Sequence, residues 1–410
     1  MIQALHVTPH REPILPMEGA VEIHRRHIHR LKISAFRSIA ELDLQPAPGA
    51  TVLVGDNGSG KTNVLEAISF FAPGSGLRGS RLGDARRIGA NDTAPWAIHA
   101  EIADGHETHR IGAGLSVDAA GRERRVFRHD GEPAKAVQIA ALIPMTWLTP
   151  ALELLFEGRS SARRRFFDRL VCAIIPAHAA DLAAYERAIT QRLQLLKGGQ
   201  YDSVWLSQLE AIAARAGAAA AAARAKICMR LQQTIAIGGP WSRELFPRAR
   251  LEMHGSLEQA FAKQFADSIE DDFRNTLAAG RLRDAAAGRT LHGIHRSELR
   301  VWHEQKDVLA SQASTGEQTA LLLNILLAHA QLTAEIRGTP PLLLLDETAA
   351  RLDSARRQEL FRAIIDLGLQ VIFTGQTEDF FSDLIGARII HLARGEKREA
   401  QGAPTREILS

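Results

Sequence analysis

Only two cysteines occur in 410 residues, Cys172 and Cys228, far apart and without metal-ligand spacing. Neither a disulfide framework nor a zinc site is expected, and a reducing cytoplasm is the default compartment. Also missing is an uninterrupted apolar run of the roughly 18 residues that a membrane-spanning helix needs, and residues 1–30 lack the apolar stretch of a signal peptide. The expectation is a soluble, non-exported chain with no membrane partner. Charge of one sign is scarce: 50 Lys and Arg stand against 47 Asp and Glu, for a net +3 with 16 His neutral. Any basic binding face must therefore be local.

What is present is ordinary globular material, 45% hydrophobic and 24% charged, long enough for two or three domains. Residues 1–26, rich in His, Arg and Pro, read as a tail in which Met17 is an alternative start. From Leu31 the apolar positions Leu31, Ile33 and Phe36, then Ile39, Leu42 and Leu44, predict two short strands forming a hairpin. Thr51–Val54 predicts a buried strand, and Val64, Leu65, Ile68 and Phe71 a helix after Gly55. Further antiparallel strands are expected over 96–130. From 151 to 280, Ala, Leu, Arg and Gln replace Gly and Pro, and the Ala-rich run Ala211–Ala225 is anchored by Leu206, Leu209, Ile212, Ile227, Met229 and Leu231. The expected division is a tail (1–26), a head with a β lobe (27–150), a helical insertion (151–280) and the rest of the head (281–410). Pro340–Leu345 and Gln370–Thr374 suit buried parallel strands in that last part.

Gly55, Asp56, Asn57, Gly58, Ser59, Gly60, Lys61 and Thr62 satisfy the phosphate-loop pattern GxxxxGK[ST]. Lying between a strand and a helix, its glycines let backbone N–H groups converge on phosphate oxygens at a helix N-terminus. Lys61 would reach the β- and γ-phosphates of ATP, and the Thr62 hydroxyl would serve Mg2+. A metal-holding carboxylate is expected at the end of a neighbouring strand, where Asp346 and Glu347 follow Leu342–Leu345. Asp346 suits the metal, and Glu347 the attacking water. Ser314, Thr315, Gly316, Glu317 and Gln318 precede another apolar helix and form a second anion-ready start, although Ser followed by Glu is equally a capping box. One chain already cradles its phosphates with Gly55–Thr62, so the second start suggests a nucleotide shared between two subunits in an ABC-type arrangement.

These residues resemble the RecF family of ABC-class ATPases, whose heads are similar to those of structural maintenance of chromosomes (SMC) proteins. The resemblance runs from about Ile33 to Leu392. It is carried by Phe36, Arg37 and Ser38; by Asn63, Leu65 and Glu66 after the phosphate loop; and by Pro73–Arg78. Leu148–Pro150, the run Arg163–Asp168, and Gly288, Arg289, Thr290, Gly293, His295 and Arg296 add to it. On this resemblance Ser314–Gln318 is the ABC signature, contributed in trans, Asp346 and Glu347 the Walker B pair, and Asp353 the D-loop acid. Asn63 extends the nucleotide-binding set. Where the family has an Asp pair, this chain has Ser297 and Glu298, and no role is assigned there. Thr374 and Gln376 are both candidates for the switch position.

The fold implied is α/β: an ABC-type P-loop head with an antiparallel β lobe and an inserted α-helical domain. The implied function is an ATP-dependent, dimerising DNA-binding protein for repair of gaps, with RecO and RecR as partners. DNA would be held through phosphates by local basic clusters. Candidates are Arg78, Arg81, Arg86 and Arg87; Arg122, Arg124, Arg125 and Arg128; and Arg159 with Arg163–Arg165, the last of which could equally join two lobes. A chromosome-tethering SMC-like protein is the alternative. It is disfavoured by the short chain between Lys61 and Ser314 and by the lack of sustained heptads. A transporter ATPase would need a nearer signature segment, and a P-loop kinase would have no use for one.

Overall fold

The parallel strands at the centre of the computed structural model are largely apolar because both faces are covered, with Thr51, Thr146 and Thr374 buried among them. The structure describes residues 25–393 apart from 92, 106, 200–201 and 262–265, so the expected tail, Arg25 and Arg26 excepted, lies outside the described residues. Five strands lie in the order β14(Arg388–His391), β3(Ala50–Val54), β13(Val371–Gly375), β12(Leu342–Leu345) and β8(Met145–Leu148), all parallel. Val52, Val54, Leu343, Leu345, Val371 and Phe373 face one core. The alternating Leu53, Leu342, Leu344 and Ile372 face another. A continuous apolar run is what a strand buried on two sides requires.

The second core is closed by a six-stranded antiparallel sheet, β2(Ile39–Leu44), β1(His27–Phe36), β4(Ala97–Asp104), β5(Glu107–Val117), β6(Glu123–His129) and β7(Glu132–Ala134), with α1(Lys61–Ser69) packed between the two sheets. The predicted hairpin is β1–β2, with Leu31 opposite Leu44 and Ile33 opposite Leu42. The first core is closed by α4(Ser160–Ile174), α10(Thr315–Arg337) and α11(Ser354–Asp366). By length and composition α10 could cross a membrane. Its residues Ala320–Ala328 are all buried, so its apolar surface is covered by the rest of the protein.

A third core belongs to helices alone. α5(His178–Lys197), the upper half of α6(Ser203–Ile237), α7(Ser256–Ala260) and α8(Ala266–Ala279) enclose Tyr185, Ala213, Ala220, Ile269, Phe273 and Leu277. Gly217 is tolerated within α6 because a Cβ there would come 2.9 Å from Phe273 and 3.2 Å from Tyr185, so glycine permits the close approach. The lower half of α6 joins the head through Ile227 and Leu231.

Two details depart from the sequence reading. Ile212 and Met229 are exposed rather than anchoring, since they fall on the solvent side of α6. The stretch read as wholly helical contains β9(Ala249–His254), which pairs with β10(Glu298–His303) and, through it, β11(Val308–Leu309). Its strict in–out alternation, Ala249, Leu251 and Met253 buried, is a strand signature that the helical reading of the whole 151–280 stretch passed over. Helix also continues beyond 280 in α9(Arg281–Ala287).

Candidate nucleotide site and its surroundings

Strands β3, β13, β12 and β8 are adjacent and parallel, so their C-terminal ends present four loops in a row. Such ends are where open α/β sheets bind ligands. After β3 the backbone turns through Gly55 (φ 149°), Gly58 (φ 83°) and Gly60 (φ 102°). At Gly55 a Cβ would lie 2.3 Å from the Leu392 carbonyl oxygen, so glycine is obligatory there. α1 then begins at Lys61 with no side-chain cap and no acidic residue in its first turn, leaving its positive end uncompensated. Asp56, Asn57 and Gly58 are exposed, and the Ser59 hydroxyl is buried without a hydrogen-bond partner among the described residues. Lys61 folds back so that Nζ donates to the carbonyls of Gly55 (2.5 Å) and Asp56 (2.8 Å).

Thr62 Oγ1 donates to Asp346 Oδ1 at 2.9 Å, which joins the phosphate loop to the end of β12. Thr374, at the end of β13 between them, donates to the same oxygen at 2.8 Å and accepts the Glu347 N–H at 2.9 Å. Thr374, one of two switch candidates in the sequence, thus ties both acids together. Glu347 has φ 52° and a half-buried carboxylate with no hydrogen bond or ion pair among the described residues. Nearby, Glu153 follows β8 and pairs with Arg351 at 2.7 Å. Burial raises its pKa, and the Glu347 charge adds to that rise against the pull of Arg351.

The Ser314 segment is realised as a capping box on α10: Ser314 Oγ accepts the Glu317 N–H (3.4 Å) and Glu317 Oε2 accepts the Ser314 N–H (3.0 Å). Lys306, 2.5 Å away, is the main cause that holds the Glu317 carboxyl down at about 2. The cap leaves Ser314, Thr315 and Gly316 exposed, while Gln318 turns inward and donates to Ala313 O at 3.0 Å. Asp353 caps α11 through the Arg356 N–H (2.9 Å), and the Arg356 side chain lies 3.3 Å from where a Gly316 Cβ would be. The Ser314–Gln318 and Asp353 segments are therefore neighbours. Among the described residues no hydrogen bond or ion pair joins Ser314–Gln318 to Gly55–Asn63.

Glu66, Arg37, Ser38 and Ser80, to which sequence reading gave no role, form the footing of α1 together with Asn63 and Arg78, which it had offered for nucleotide and DNA. Glu66 is fully buried, receives Arg37 in a fork (2.7 and 3.1 Å), and is also bonded by Arg78 (3.0 Å) and Ser80 (3.1 Å). Asn63 donates to Ser38 Oγ at 2.7 Å and accepts from Arg78 at 3.1 Å. An acid among the buried positions Val64, Leu65 and Ile68 was the available signal. A second buried charge cluster joins helices to head: Arg224 bonds Asp168 (2.7 and 2.9 Å), Glu258 (3.0 Å) and the Ile294 carbonyl (2.8 Å). Gly293, beside it, fits because a Cβ would lie 2.0 Å from Tyr185 Oη, which is bonded to His295 Nδ1 at 2.7 Å.

The arginine candidates divide sharply. Arg125 is structural: its guanidinium donates to the Phe70 and Gly74 carbonyls, stacks 5.0 Å from the Phe127 ring centroid, and burial lowers its pKa to about 10. Arg86 pairs with Glu123, Arg163 with Glu298, and Arg164 donates to the Ser297 carbonyl. The Arg163–Arg164 pair therefore joins α4 to β10, as Phe166 and Phe167, both buried, suggested. Arg78, Arg122 and Arg128 are exposed but bonded to Glu66, Asp118 and the Gly131 carbonyl, whereas Arg81, Arg87, Arg124, Arg159 and Arg165 are exposed with no side-chain hydrogen bond or ion pair among the described residues.

The parallel sheet with its phosphate loop, paired acids at the next strand end but one, and an exposed capped serine helix define an ABC-type P-loop ATPase head of the SMC kind. Residues 27–399 match the family described as RecF/RecN/SMC N terminal domain. The "DNA replication and repair protein RecF" of Mesorhizobium japonicum is 43% identical over 363 residues, 88% of this chain and 94% of the relative. That of Brucella suis biovar 1 is 42% identical over 389 residues, covering 93% and 99%. A solved structure described as the recombination mediator protein RecF-ATPrS in the RecFOR pathway superposes with a TM-score of 0.77 at 19% identity, over 92% of this chain and 98% of that one. The chain belongs to the RecF family of DNA replication and repair proteins.

Proposed function

We propose that this protein is an ATP-gated DNA clamp of recombinational gap repair, acting in the cytoplasm. ATP and Mg2+ fit the residues present: an uncapped helix start, an unpartnered buried Ser59 hydroxyl and a Lys61 ammonium held over the loop form an anion cradle. Beside it, Ser38, Ile39, Leu42, Ser59, Gly60 and Leu392 line a shallow recess suited to the nucleoside. Gly55–Asn63 would bind phosphates, and Thr62 and Asp346 would hold Mg2+, with Asp346 Oδ1 already satisfied by two hydroxyls. The metal would supply charge neutralisation at the phosphates. Glu347 would accept the proton of the attacking water, its unpartnered carboxylate being available for that.

The observation that carries the dimer is the exposure of Ser314–Gly316 beside Asp353, without a bond to this chain's own phosphate loop. Ser314–Gln318 of one copy would complete the nucleotide site of another, and ATP would favour the pair by differential affinity. Slow hydrolysis would reopen it. Exposed Arg81, Arg87, Arg124, Arg159 and Arg165 are the remaining candidates for DNA phosphates, with RecO and RecR as partners. Head parts 27–150 and 281–410 flank the insertion at 151–280, of which only α5, upper α6, α7 and α8 have their own core. That closed core also disfavours the chromosome-tethering alternative, which needs open arms. Sedimentation with ADP, ATP, and ATP plus gapped duplex tests the scheme: Glu347→Gln should accumulate as a closed dimer with ATP, and equal monomer populations under all three conditions would reject gating.

A further inference from the structure

Strands β5 and β6 pair near the outer edge of the antiparallel sheet, and β6 turns into β7 through Asp130 (φ 49°) and Gly131 (φ 90°). The turn is held by Asp130, whose N–H donates to the Arg110 carbonyl (2.8 Å) and whose Oδ1 accepts the Arg110 N–H (2.8 Å). Oδ2 is thereby aimed at two imidazoles, 3.1 Å from His129 Nε2 and 3.9 Å from His109 Nδ1. The two ring nitrogens lie 3.4 Å apart, with the rings tilted by 49°. That separation is longer than an ordinary hydrogen bond between nitrogens and oxygens, so the pair is not held by a strong bond of its own.

Three donor atoms with edges of 3.1, 3.4 and 3.9 Å describe one face of a coordination polyhedron. Ligands at about 2.0–2.1 Å from a tetrahedral ion are about 3.3 Å from one another. Only the longest edge must shorten, by about half an ångström, and Asp130 is half exposed and able to swing. Behind the site, His109 Nε2 faces the carboxylates of Asp104 and Glu107, both at 3.9 Å, and Asp104 is itself held by Arg26. A carboxylate behind a ligating imidazole is the usual support of a metal-bound histidine.

We propose that His109, His129 and Asp130 form a binding site for a divalent transition ion of the zinc class, with a fourth position open to water. Two nitrogens and one oxygen suit such an ion and not Mg2+, which requires oxygen ligands. Binding ties β5 to the β6–β7 turn and is independent of the nucleotide site. Cysteine spacing gave no sign of it because the ligands are histidines and an acid brought together by strand pairing.

The test is calorimetric titration of the full-length, tag-free chain with zinc chloride, alongside a His109→Ala/His129→Ala double variant. Both carry the same His-rich residues at positions 6, 10, 24, 27 and 29, so the difference isolates the site. The wild type should bind one equivalent more, with micromolar affinity, and Co2+ should give the visible absorption of a tetrahedral complex that the variant lacks. Asp130→Asn, which keeps the Oδ1 acceptor of the turn, serves if the double variant does not fold and should bind at least tenfold more weakly. Stoichiometry and affinity equal to wild type in a folded variant would overturn the proposal.

Discussion

Replacing Thr374 with valine is the most direct perturbation of the acid pair, because it keeps the side chain's shape and deletes one oxygen. Two bonds go with it. The Glu347 N–H loses its acceptor, costing about 1–3 kcal/mol, and Asp346 loses one of two hydroxyl donors, a charge-assisted bond of about 1.5–3 kcal/mol. The combined local loss of about 2.5–6 kcal/mol is a large fraction of a typical stability of about 5–15 kcal/mol. Glu347 sits at φ 52°, a conformation that an acidic residue holds at a cost of about 1–3 kcal/mol and that the Thr374 hydroxyl anchors. Released, the peptide would relax and carry its carboxylate with it, and a displacement of about 1 Å is worth on the order of 100-fold in rate. Steady-state ATPase assays should show kcat reduced by about 10–100-fold in Thr374→Val with KM for ATP little changed, since Gly55–Thr62 is untouched. A thermal melt should show a lower Tm. Thr374→Ser should recover most of both. Wild-type kcat and Tm in the valine variant would show that the hydroxyl does not position Glu347.

Lys61→Met should abolish nucleotide-dependent dimerisation and DNA binding, read by sedimentation and by fluorescence anisotropy on gapped duplex; a dimer that still forms with ATP contradicts the shared-nucleotide scheme. Gly293→Ala pushes a methyl against Tyr185 Oη, and overpacking of this kind costs about 1–3 kcal/mol, so the melting temperature should fall, while the companion change Tyr185→Phe, which removes the obstructing oxygen, should restore part of it. His329 is fully buried, donates from Nε2 to the Leu170 carbonyl at 2.9 Å, and is kept neutral by burial that lowers its pKa to about 4. Its contribution is complete above the unfolded value near 6.5 and is lost as pH falls toward 4, on the order of 3 kcal/mol. His329→Gln should flatten the denaturation midpoint between pH 7 and 4.5; an unchanged slope would place the acid sensitivity elsewhere.

Which features were legible follows from how each is encoded. The phosphate loop, the β12 acids and the serine start of α10 are contiguous segments whose backbone chemistry is local, so residues 55–62, 346–347 and 314–318 could be read by spacing. Three of the five parallel strands, β3, β12 and β13, were readable as near-continuous apolar runs, whereas β8 and β14 were not read as strands. β9 was overlooked because the whole of 151–280 was read as helical from the texture of its Ala-rich part, although Gly238, Gly239, Pro240, Pro247 and Gly255 set this segment apart and the alternation itself is plain. Ile212 and Met229 were misplaced because their spacing along α6 puts them on its solvent side.

The chain order alone determined that a glycine-lined loop precedes a helix, that acids end a buried strand and that no cysteine framework staples the fold, since each depends on neighbours within a few residues. Tertiary structure decided which distant groups share a bond: Asp346 between Thr62 and Thr374, Glu66 under Arg37 and Arg78, Arg224 between Asp168 and Glu258, and the His109, His129 and Asp130 triangle. A buried charge or hydroxyl is stable only when another part of the chain satisfies it, and nothing in the local sequence specifies which part will arrive.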